Sequence, residues 1–212
     1  MSEWFRNEDW SSEIEEQFFR KLGRTRTQKA QYLRIQASYL SGRKPEIALS
    51  LLGRYFELGD HFGDAQAFVD QAHAFDALGD SEQSATSFEK ALLREEEFPN
   101  SLTQAGFEFP LFVAMHKMTS RYELARQVIE KYRPKAVFPV NLFQSFGASA
   151  LIALELGSRQ EGAEFARRAL AAAAAPRSPF PRHSDIGLVG SKYDDLRAKL
   201  QELCRETPGR SK

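Results

Sequence analysis

The chain has 212 residues, of which 42% are hydrophobic and 27% are charged, as is usual for a globular protein. Lysine plus arginine and aspartate plus glutamate each number 29, so the net charge of zero gives no general attraction to nucleic acid or to an anionic membrane. The single cysteine, Cys204, excludes an internal disulfide and a zinc site built from several cysteines.

Residues 1–26 predict an N-terminal extension followed by one helix. The extension is polar and acidic, unlike a secretory leader, and no later apolar run approaches the ~20 residues that cross a bilayer, so we expect a cytoplasmic protein without a membrane partner. Two tryptophans and a phenylalanine in residues 1–10 are expected to pack on the protein body, because exposed aromatic patches are uncommon. Ser11 or Ser12 should cap the helix, and Gly23 should end it.

Residues 27–176 predict four consecutive pairs of helices. Apolar side chains recur there at helical spacing, and glycine or proline marks the breaks. In the first pair, Thr27 is expected to cap a helix that ends near Ser41. Pro45 is expected to open its partner, because proline is well tolerated at the first helical position. The helices of the other three pairs are predicted at residues 62–78, 81–97, 101–118, 122–132, 139–157 and 161–175.

The second half of the chain has three special features. Pro110 lies inside a predicted helix and should kink or break it. The alanine-rich helix at 161–175 has little side-chain bulk, so we expect the C-terminal segment to pack on it. Residues 177–212 predict a proline-rich connector, an amphipathic capping helix near 192–205 and a frayed tail. No segment has the alternating pattern of strands, so the predicted fold class is all-α.

The turns within the helix pairs recur at a regular distance. Gly42, Gly79 and Gly157 each end the first helix of a pair. The first two glycines are 37 residues apart, and the 78 residues from Gly79 to Gly157 make two units of ~39. Periods of this size are typical of stacked helical hairpins. In the third pair, residues 120–122 take the turn position without a glycine.

Small and aromatic residues stand where the two helices of a pair should cross. In the second pair they are Phe68, Ala72, Phe75, Leu78-Gly79-Asp80, Phe88, Ala91-Leu92 and Pro99. In the fourth pair they are Phe146, Ala150, Ala153, Leu156-Gly157, Ala166, Ala169-Leu170 and Pro176. On these residues the chain resembles the tetratricopeptide repeat (TPR) family over roughly residues 28–176. It departs from the family pattern in a period longer than ~34 residues, in Pro110, and in the missing turn glycine of the third pair.

The resemblance implies a fold and a working surface. The fold is a right-handed superhelix of αα-hairpins, a TPR-like solenoid with an added N-terminal helix and a C-terminal capping helix, in a single domain over residues 1–212. In this family the first helix of each pair lines a concave groove that binds a protein or peptide. The groove residues implied here are Gln31, Arg34, Ser38, Gln66, Val69, His73, Asp76, Ala114, Lys117, Gln144 and Leu151.

The groove set limits what the partner can be. It lacks the repeated lysine and asparagine with which some family members hold a terminal carboxylate, so no such tail is expected. For each residue taken singly, a merely solvated surface is the favoured interpretation, since most exposed polar residues need no special role. We expect the functional surface where His73 and Asp76 face Arg34 across the groove. The resemblance thus favours a non-catalytic protein-interaction module or scaffold whose partner is unidentified.

Charge is segregated along the chain despite the net charge of zero. Residues 17–45 contain eight lysines and arginines and no acid, whereas residues 57–97 contain eleven acids against Lys90 and Arg94. The basic stretch could bind the phosphates of nucleic acid, which is the alternative function. It could also pair with acidic residues of a neighbouring repeat or of another copy, so we expect a monomer or a weak homo-oligomer.

Residue patterns of known catalytic or metal sites are missing from the sequence. The four histidines, His61, His73, His116 and His183, are far apart, and no pair has the spacing of a helical metal site. Neither a phosphate-binding loop nor a nucleophile elbow occurs. We therefore predict no cofactor and no enzymatic activity.

Overall fold

A computed structural model describes residues 3–180 and 182–207 of the chain. Helices account for 73% of the chain and no strand occurs among the described residues, which confirms the all-α prediction. The chain divides into two compact units, Met1–Ala105 (unit 1) and Gly106–Lys212 (unit 2). The prediction of a single domain is not decided by this division and stays a prediction.

Unit 1 contains an N-terminal helix and two helical pairs. Its helices are α1 (Ser12–Arg24), α2 (Lys29–Leu40), α3 (Pro45–Glu57), α4 (Asp64–Ala77) and α5 (Ser81–Glu97). Helix α2 packs on α3, and α4 packs on α5 and α3. Close packing is possible because alanine faces the neighbouring helix: Ala37, Ala67 and Ala91 are fully buried. The two pairs lie where the sequence predicts them.

The aromatic N-terminal segment packs on unit 1, as the sequence predicts. The rings of Trp4 and Trp10 lie 5.3 and 5.4 Å from the ring of Phe18. The fully buried side chain of Gln36 also holds the segment. Its Nε2 donates to the carbonyl of Asn7 at 2.7 Å, and its Oε1 accepts from the Asn7 backbone N–H at 3.0 Å. Apolar burial and a buried amide together fix residues 4–10 on the helices.

Unit 2 contains the remaining helices, the first of which begins at the last residue of unit 1. They are α6 (Ala105–Met115), α7 (Tyr122–Tyr132), α8 (Pro139–Glu155), α9 (Arg159–Ala173) and α10 (Asp194–Glu206). Helix α9 packs on both α8 and α10. Where α10 approaches, Leu203 comes close to Gly162, and the Cys204 thiol is 3.8 Å from the Ala163 carbonyl oxygen. The C-terminal helix therefore packs on α9 as predicted, although these contacts lie N-terminal to its alanine run.

Several local predictions differ from the structure. The residue that precedes α2 is Gln28 rather than Thr27, and α4 begins at Asp64 after a 3-10 turn over His61–Gly63. Pro110 does not break α6, because buried Phe109 and Val113 hold the helix on both sides of it. The predicted frayed tail covers residues 207–212. Thr207 is not frayed, because it is buried and its carbonyl accepts a hydrogen bond from Arg167 Nη2 at 2.6 Å. Residues 208–212 lie outside the described residues.

The third pair has a turn residue in the left-handed backbone conformation, which the repeat pattern does not predict. Lys117 has a φ of 52°, so it adopts after α6 the conformation that Gly79 and Gly157 adopt after α4 and α8. Its Nζ lies 3.0 Å from a carboxylate oxygen of Glu155. The missing glycine is thus replaced by a lysine three residues before the turn position that the repeat predicts.

None of the helices that the structure describes is both long and apolar enough to cross a lipid bilayer.

Candidate functional site

A cavity of about 490 Å³ opens in unit 1 beside the first turns of α2 and α4. Three of the predicted groove residues, Gln31, Arg34 and Gln66, line it together. The opposite wall is the segment that follows α5, and Glu95 holds this segment in place. The buried Glu95 carboxylate accepts hydrogen bonds from the backbone N–H and the hydroxyl of Thr103, at 2.8 and 2.5 Å.

The cavity wall is rich in side-chain amides. Gln28 accepts a hydrogen bond from the Tyr32 hydroxyl at 2.7 Å, and Gln66 donates one to Asp70 at 3.1 Å. Among the described residues, no hydrogen bond engages the side chains of Gln31 and Asn100. The cavity therefore presents amide donors and acceptors that are solvated rather than bonded within the protein.

A buried carboxylate, that of Asp70, contacts two side chains of this wall from the protein interior. Asp70 is only 2% exposed, and its Oδ2 lies 3.4 Å from Nη1 of Arg34. Burial raises the pKa of the Asp70 carboxyl above its usual value, while hydrogen bonds from Gln66 and Ser38 and the positive charge of Arg34 act in the opposite direction. Asp70 thus orients Gln66 and Arg34 at the cavity.

A second buried carboxylate, Asp64, stands at the first residue of α4. It accepts a hydrogen bond from the Tyr55 hydroxyl at 3.0 Å, and its other oxygen lies 2.9 Å from His61 Nδ1 and 3.3 Å from Arg94 Nη2. Burial and the hydrogen bond to Asp64 raise the pKa of Tyr55, so its hydroxyl stays protonated and donates. This network fixes the 3-10 turn that carries Phe62.

Large apolar side chains stand at the cavity rim. Phe62 is 91% exposed and Leu102 is 53% exposed, and both line the cavity. Phe62 also borders a smaller recess of about 140 Å³ with Phe98, on whose ring the guanidinium of Arg94 stacks at 4.6 Å. A single exposed apolar residue is common on a solvated surface, but exposed apolar side chains grouped at one cavity are typical of a contact surface.

The other predicted groove residues of unit 1 lie elsewhere. The Ser38 hydroxyl bonds to Asp70, and the charge of His73 acts on the same carboxyl. Asp76 is exposed, but the acid that meets Arg34 is Asp70, which lies six residues closer to the start of α4. Val69 is 1% exposed and belongs to the core, which differs from the groove position implied by the resemblance.

In unit 2, the predicted residues separate into two groups. Lys117, Ala114 and Leu151 line a cavity of about 520 Å³ to which α10 contributes one wall. Gln144 is 3% exposed, and its Nε2 donates to the Tyr193 hydroxyl at 2.7 Å. Gln144 therefore serves the packing of the unit and offers no side chain to solvent.

The basic stretch at residues 17–45 is partly neutralised within unit 1. Four of its eight cations form ion pairs: Arg20 with Glu16, Arg34 with Asp70, Arg43 with Glu8, and Lys44 with Asp9. The partners come from the N-terminal segment, from α1 and from the acidic stretch. The pairing agrees with mutual neutralisation, while binding to nucleic acid stays a prediction.

Sequence reasoning missed the two buried aspartates and the exposed Phe62. Asp70 lies four residues after Gln66 and three before His73, on a polar stripe of α4, so the sequence does not indicate that it is buried. The sequence does not indicate the exposure of Phe62 either. In residues 3–180 and 182–207, no three histidine, cysteine or acidic side chains gather into a group that could hold a metal ion.

No protein-family model, no curated protein and no solved structure matches the chain.

Proposed function

We propose that the chain is a non-catalytic interaction module that binds an extended peptide segment of a protein partner in the cavity of unit 1. The observation that carries the proposal is the combination of unbonded amides with the exposed ring of Phe62 around one cavity. A volume of about 490 Å³ falls in the range of roughly 300–1,000 Å³ that is usual for ligand sites.

The side chains suggest how a peptide would be held. Amide side chains such as Gln31 and Asn100 can donate to a peptide carbonyl and accept from a peptide N–H at the same time. An extended segment leaves these backbone groups free, whereas a helix uses them internally. Each hydrogen bond adds roughly 0.5–1.5 kcal/mol, so the apolar rim has to supply the larger part of the affinity.

The charges at the cavity favour a neutral contact segment. Arg34 and Asp60 are its ionisable residues besides the protonated Tyr55, and Arg34 is already paired with Asp70. A strongly acidic or basic peptide would therefore gain little. We infer a segment with an apolar side chain that packs on Phe62 and Leu102, and with uncharged neighbours over the amides.

The helical pairs support a TPR-like solenoid as the wider architecture. Pairs α2–α3 and α4–α5 follow one another with a left-handed glycine at Gly79, in the manner that the repeat resemblance implies. In such a stack the first helices face the ligand, and Gln31, Arg34 and Gln66 all lie on first helices. We infer the superhelix from this agreement.

A selection from a phage-displayed library of random linear peptides against the full chain tests the proposal. Peptides with a large apolar residue and few charges should be enriched. Their affinity should fall about tenfold or more for Phe62→Ser, because truncation of a central aromatic contact costs on the order of 2 kcal/mol. Since Phe62 is 91% exposed, this variant should fold normally.

Phe180→Ser is the matched control, because Phe180 is an exposed phenylalanine of unit 2. It should leave peptide binding unchanged. Failure to enrich any peptide, or equal affinity of the enriched peptides for the wild type and Phe62→Ser, would overturn the proposal.

A further inference from the structure

Unit 2 contains a half-buried arginine that is held in place by neutral groups only. Arg133 follows α7, and its Nε donates to the Ser145 hydroxyl at 2.8 Å. Its Nη2 donates to the Ser145 carbonyl at 3.1 Å and to the Ser149 hydroxyl. These contacts fix the plane of the guanidinium. Among the described residues, no acceptor engages the two hydrogens of Nη1.

The charge of Arg133 is poorly compensated. Its guanidinium carbon lies 4.4 Å from the ring centre of Phe146 and 5.6 Å from that of Phe165. In the described part of the chain, no carboxylate lies within 4 Å of it. Burial lowers the pKa of Arg133, the positive charge of Arg168 lowers it further, and Glu130 opposes them more weakly. The site would therefore be stabilised by an anionic group.

Arg133 lines a cavity of about 280 Å³ between α7, α8 and α9. Three more ionisable side chains line it, and with Arg133 they make two cations and two anions: Arg126, Arg133, Glu130 and Glu161. No ion pair joins any of these four to another described residue. The rest of the lining is mainly apolar, with Ile129, Ile152, Ala153, Leu156 and Phe165.

We propose that this cavity binds a free α-amino acid with an apolar side chain. The geometry assigns the carboxylate to Arg133 and Arg126, the ammonium to Glu130 and Glu161, and the side chain to the apolar wall. This inference does not depend on the peptide site, which lies in unit 1.

Other ligand classes fit the same lining less well. A phosphate dianion would meet two carboxylates, and a simple cation would meet two arginines, so a single charge of either sign is opposed. An uncharged ligand would further dehydrate the half-buried guanidinium of Arg133 without pairing its charge. The volume of about 280 Å³ lies just below the range of roughly 300–1,000 Å³ for larger ligands, which suits one amino acid.

Titration calorimetry of the full chain with four free amino acids tests the proposal: L-leucine, L-isoleucine, L-methionine and L-phenylalanine. At least one should bind. For the best ligand, the N-acetyl derivative removes the ammonium and the amide derivative removes the carboxylate. Each change should weaken binding about tenfold or more, because hydrogen bonds to charged groups are the strong ones. Glycine, which has no apolar side chain, should bind far more weakly.

Variants then locate the site. Arg133→Ala is unsuitable because Arg133 also positions two serines, so the variants are Arg126→Gln and Glu161→Gln, both at exposed positions. Each should weaken the best ligand severalfold, and Glu161→Gln should reduce the preference for the free amino acid over its N-acetyl derivative. Glu164→Gln, on the same helix but outside the cavity, should have no effect.

Three results would overturn the inference. The first is the absence of heat with all four amino acids. The second is equal binding of the free amino acid and both derivatives. The third is unchanged binding in Arg126→Gln and Glu161→Gln.

Discussion

At the residue scale, the carboxylate of Asp70 is buried away from water. It is 2% exposed, and burial raises its pKa above the ordinary value of 3.8. The folded protein therefore keeps a proton on Asp70 at pH values where the unfolded chain has released it. By linkage, its contribution to the free energy of unfolding falls as the pH rises above 3.8 and becomes constant above the raised pKa.

Asp70→Asn removes this titration. In urea unfolding between about pH 4 and about pH 7, the stability of the wild type minus that of the variant should decrease with rising pH. Asp195→Asn, which changes an exposed carboxylate of unit 2, should show no such trend. A difference that increases with pH would mean that Arg34 outweighs burial and that the pKa is lowered.

The left-handed backbone conformation of Lys117 leads to a second prediction at this scale. A left-handed conformation costs a non-glycine residue roughly 1–2 kcal/mol, whereas the ion pair of Lys117 with Glu155 is exposed to solvent and contributes less. Lys117→Gly should therefore raise the free energy of unfolding by up to ~1 kcal/mol, measured by urea unfolding. Lys117→Ala keeps the strain and loses the ion pair, so it should not be stabilising. Equal destabilisation by both substitutions would contradict this explanation.

At the scale of the helices, local signals account for most boundaries. Helix α5 spans Ser81–Glu97 as predicted, because Asp80 caps it through a 3.0 Å hydrogen bond from the Gln83 N–H and Pro99 follows its end. The sequence predicts the start of α4 two residues too early, at 62 instead of Asp64. Asp60 there caps a 3-10 turn instead, through the Phe62 N–H at 3.3 Å. Pro110 shows tertiary packing overriding a local rule, since buried side chains flank it.

The packing of the N-terminal segment, residues 4–10, on the helices of unit 1 leads to a prediction about the whole segment. Gln36→Leu keeps the volume of a fully buried side chain but removes its hydrogen bonds to Asn7, so the free energy of unfolding should fall by about 1–3 kcal/mol. Both tryptophans of the chain, Trp4 and Trp10, lie in this segment, so their fluorescence emission should shift towards the red as it loosens.

Gln144→Leu is the matched control for this experiment. Gln144 is a buried amide of unit 2 that donates to the Tyr193 hydroxyl. Its loss should lower stability while leaving the emission of the native protein unchanged. An unchanged native emission in Gln36→Leu would show that the aromatic contacts alone hold the segment.

At the scale of the whole molecule, the sequence predicts the helices better than it predicts the site. Helical periodicity and the repeat place Gln31, Arg34 and Gln66 on first helices, and these three do line one cavity. The repeat cannot show that Asp70 and Asp64 are buried, because burial depends on which helices pack above them. It also cannot show that Phe62 stays exposed, since an apolar residue beside a turn normally predicts core.

The distribution of charge over the molecule leads to a last prediction. Both the basic and the acidic stretch lie in unit 1, and half of the cations in residues 17–45 already form ion pairs there. Counterion release from nucleic acid needs cations that are available to phosphates. We therefore expect no binding of a labelled DNA duplex or single-stranded RNA, by fluorescence anisotropy at about 50 mM salt.

Three cations of the basic stretch form no ion pair with another described residue: Arg24, Arg26 and Lys29. They could therefore still bind the phosphates of a nucleic acid, which would contradict the prediction. If nucleic acid does bind, affinity should fall steeply between about 50 and about 200 mM salt and be lost in the variant Arg24→Glu with Arg26→Glu. That result would replace the peptide proposal by the nucleic-acid alternative unless Phe62→Ser also abolished peptide binding. In the latter case unit 1 would bind both ligands at adjoining surfaces, because Thr27 and Gln28, which stand between Arg26 and Lys29 in the chain, line the same cavity as Phe62.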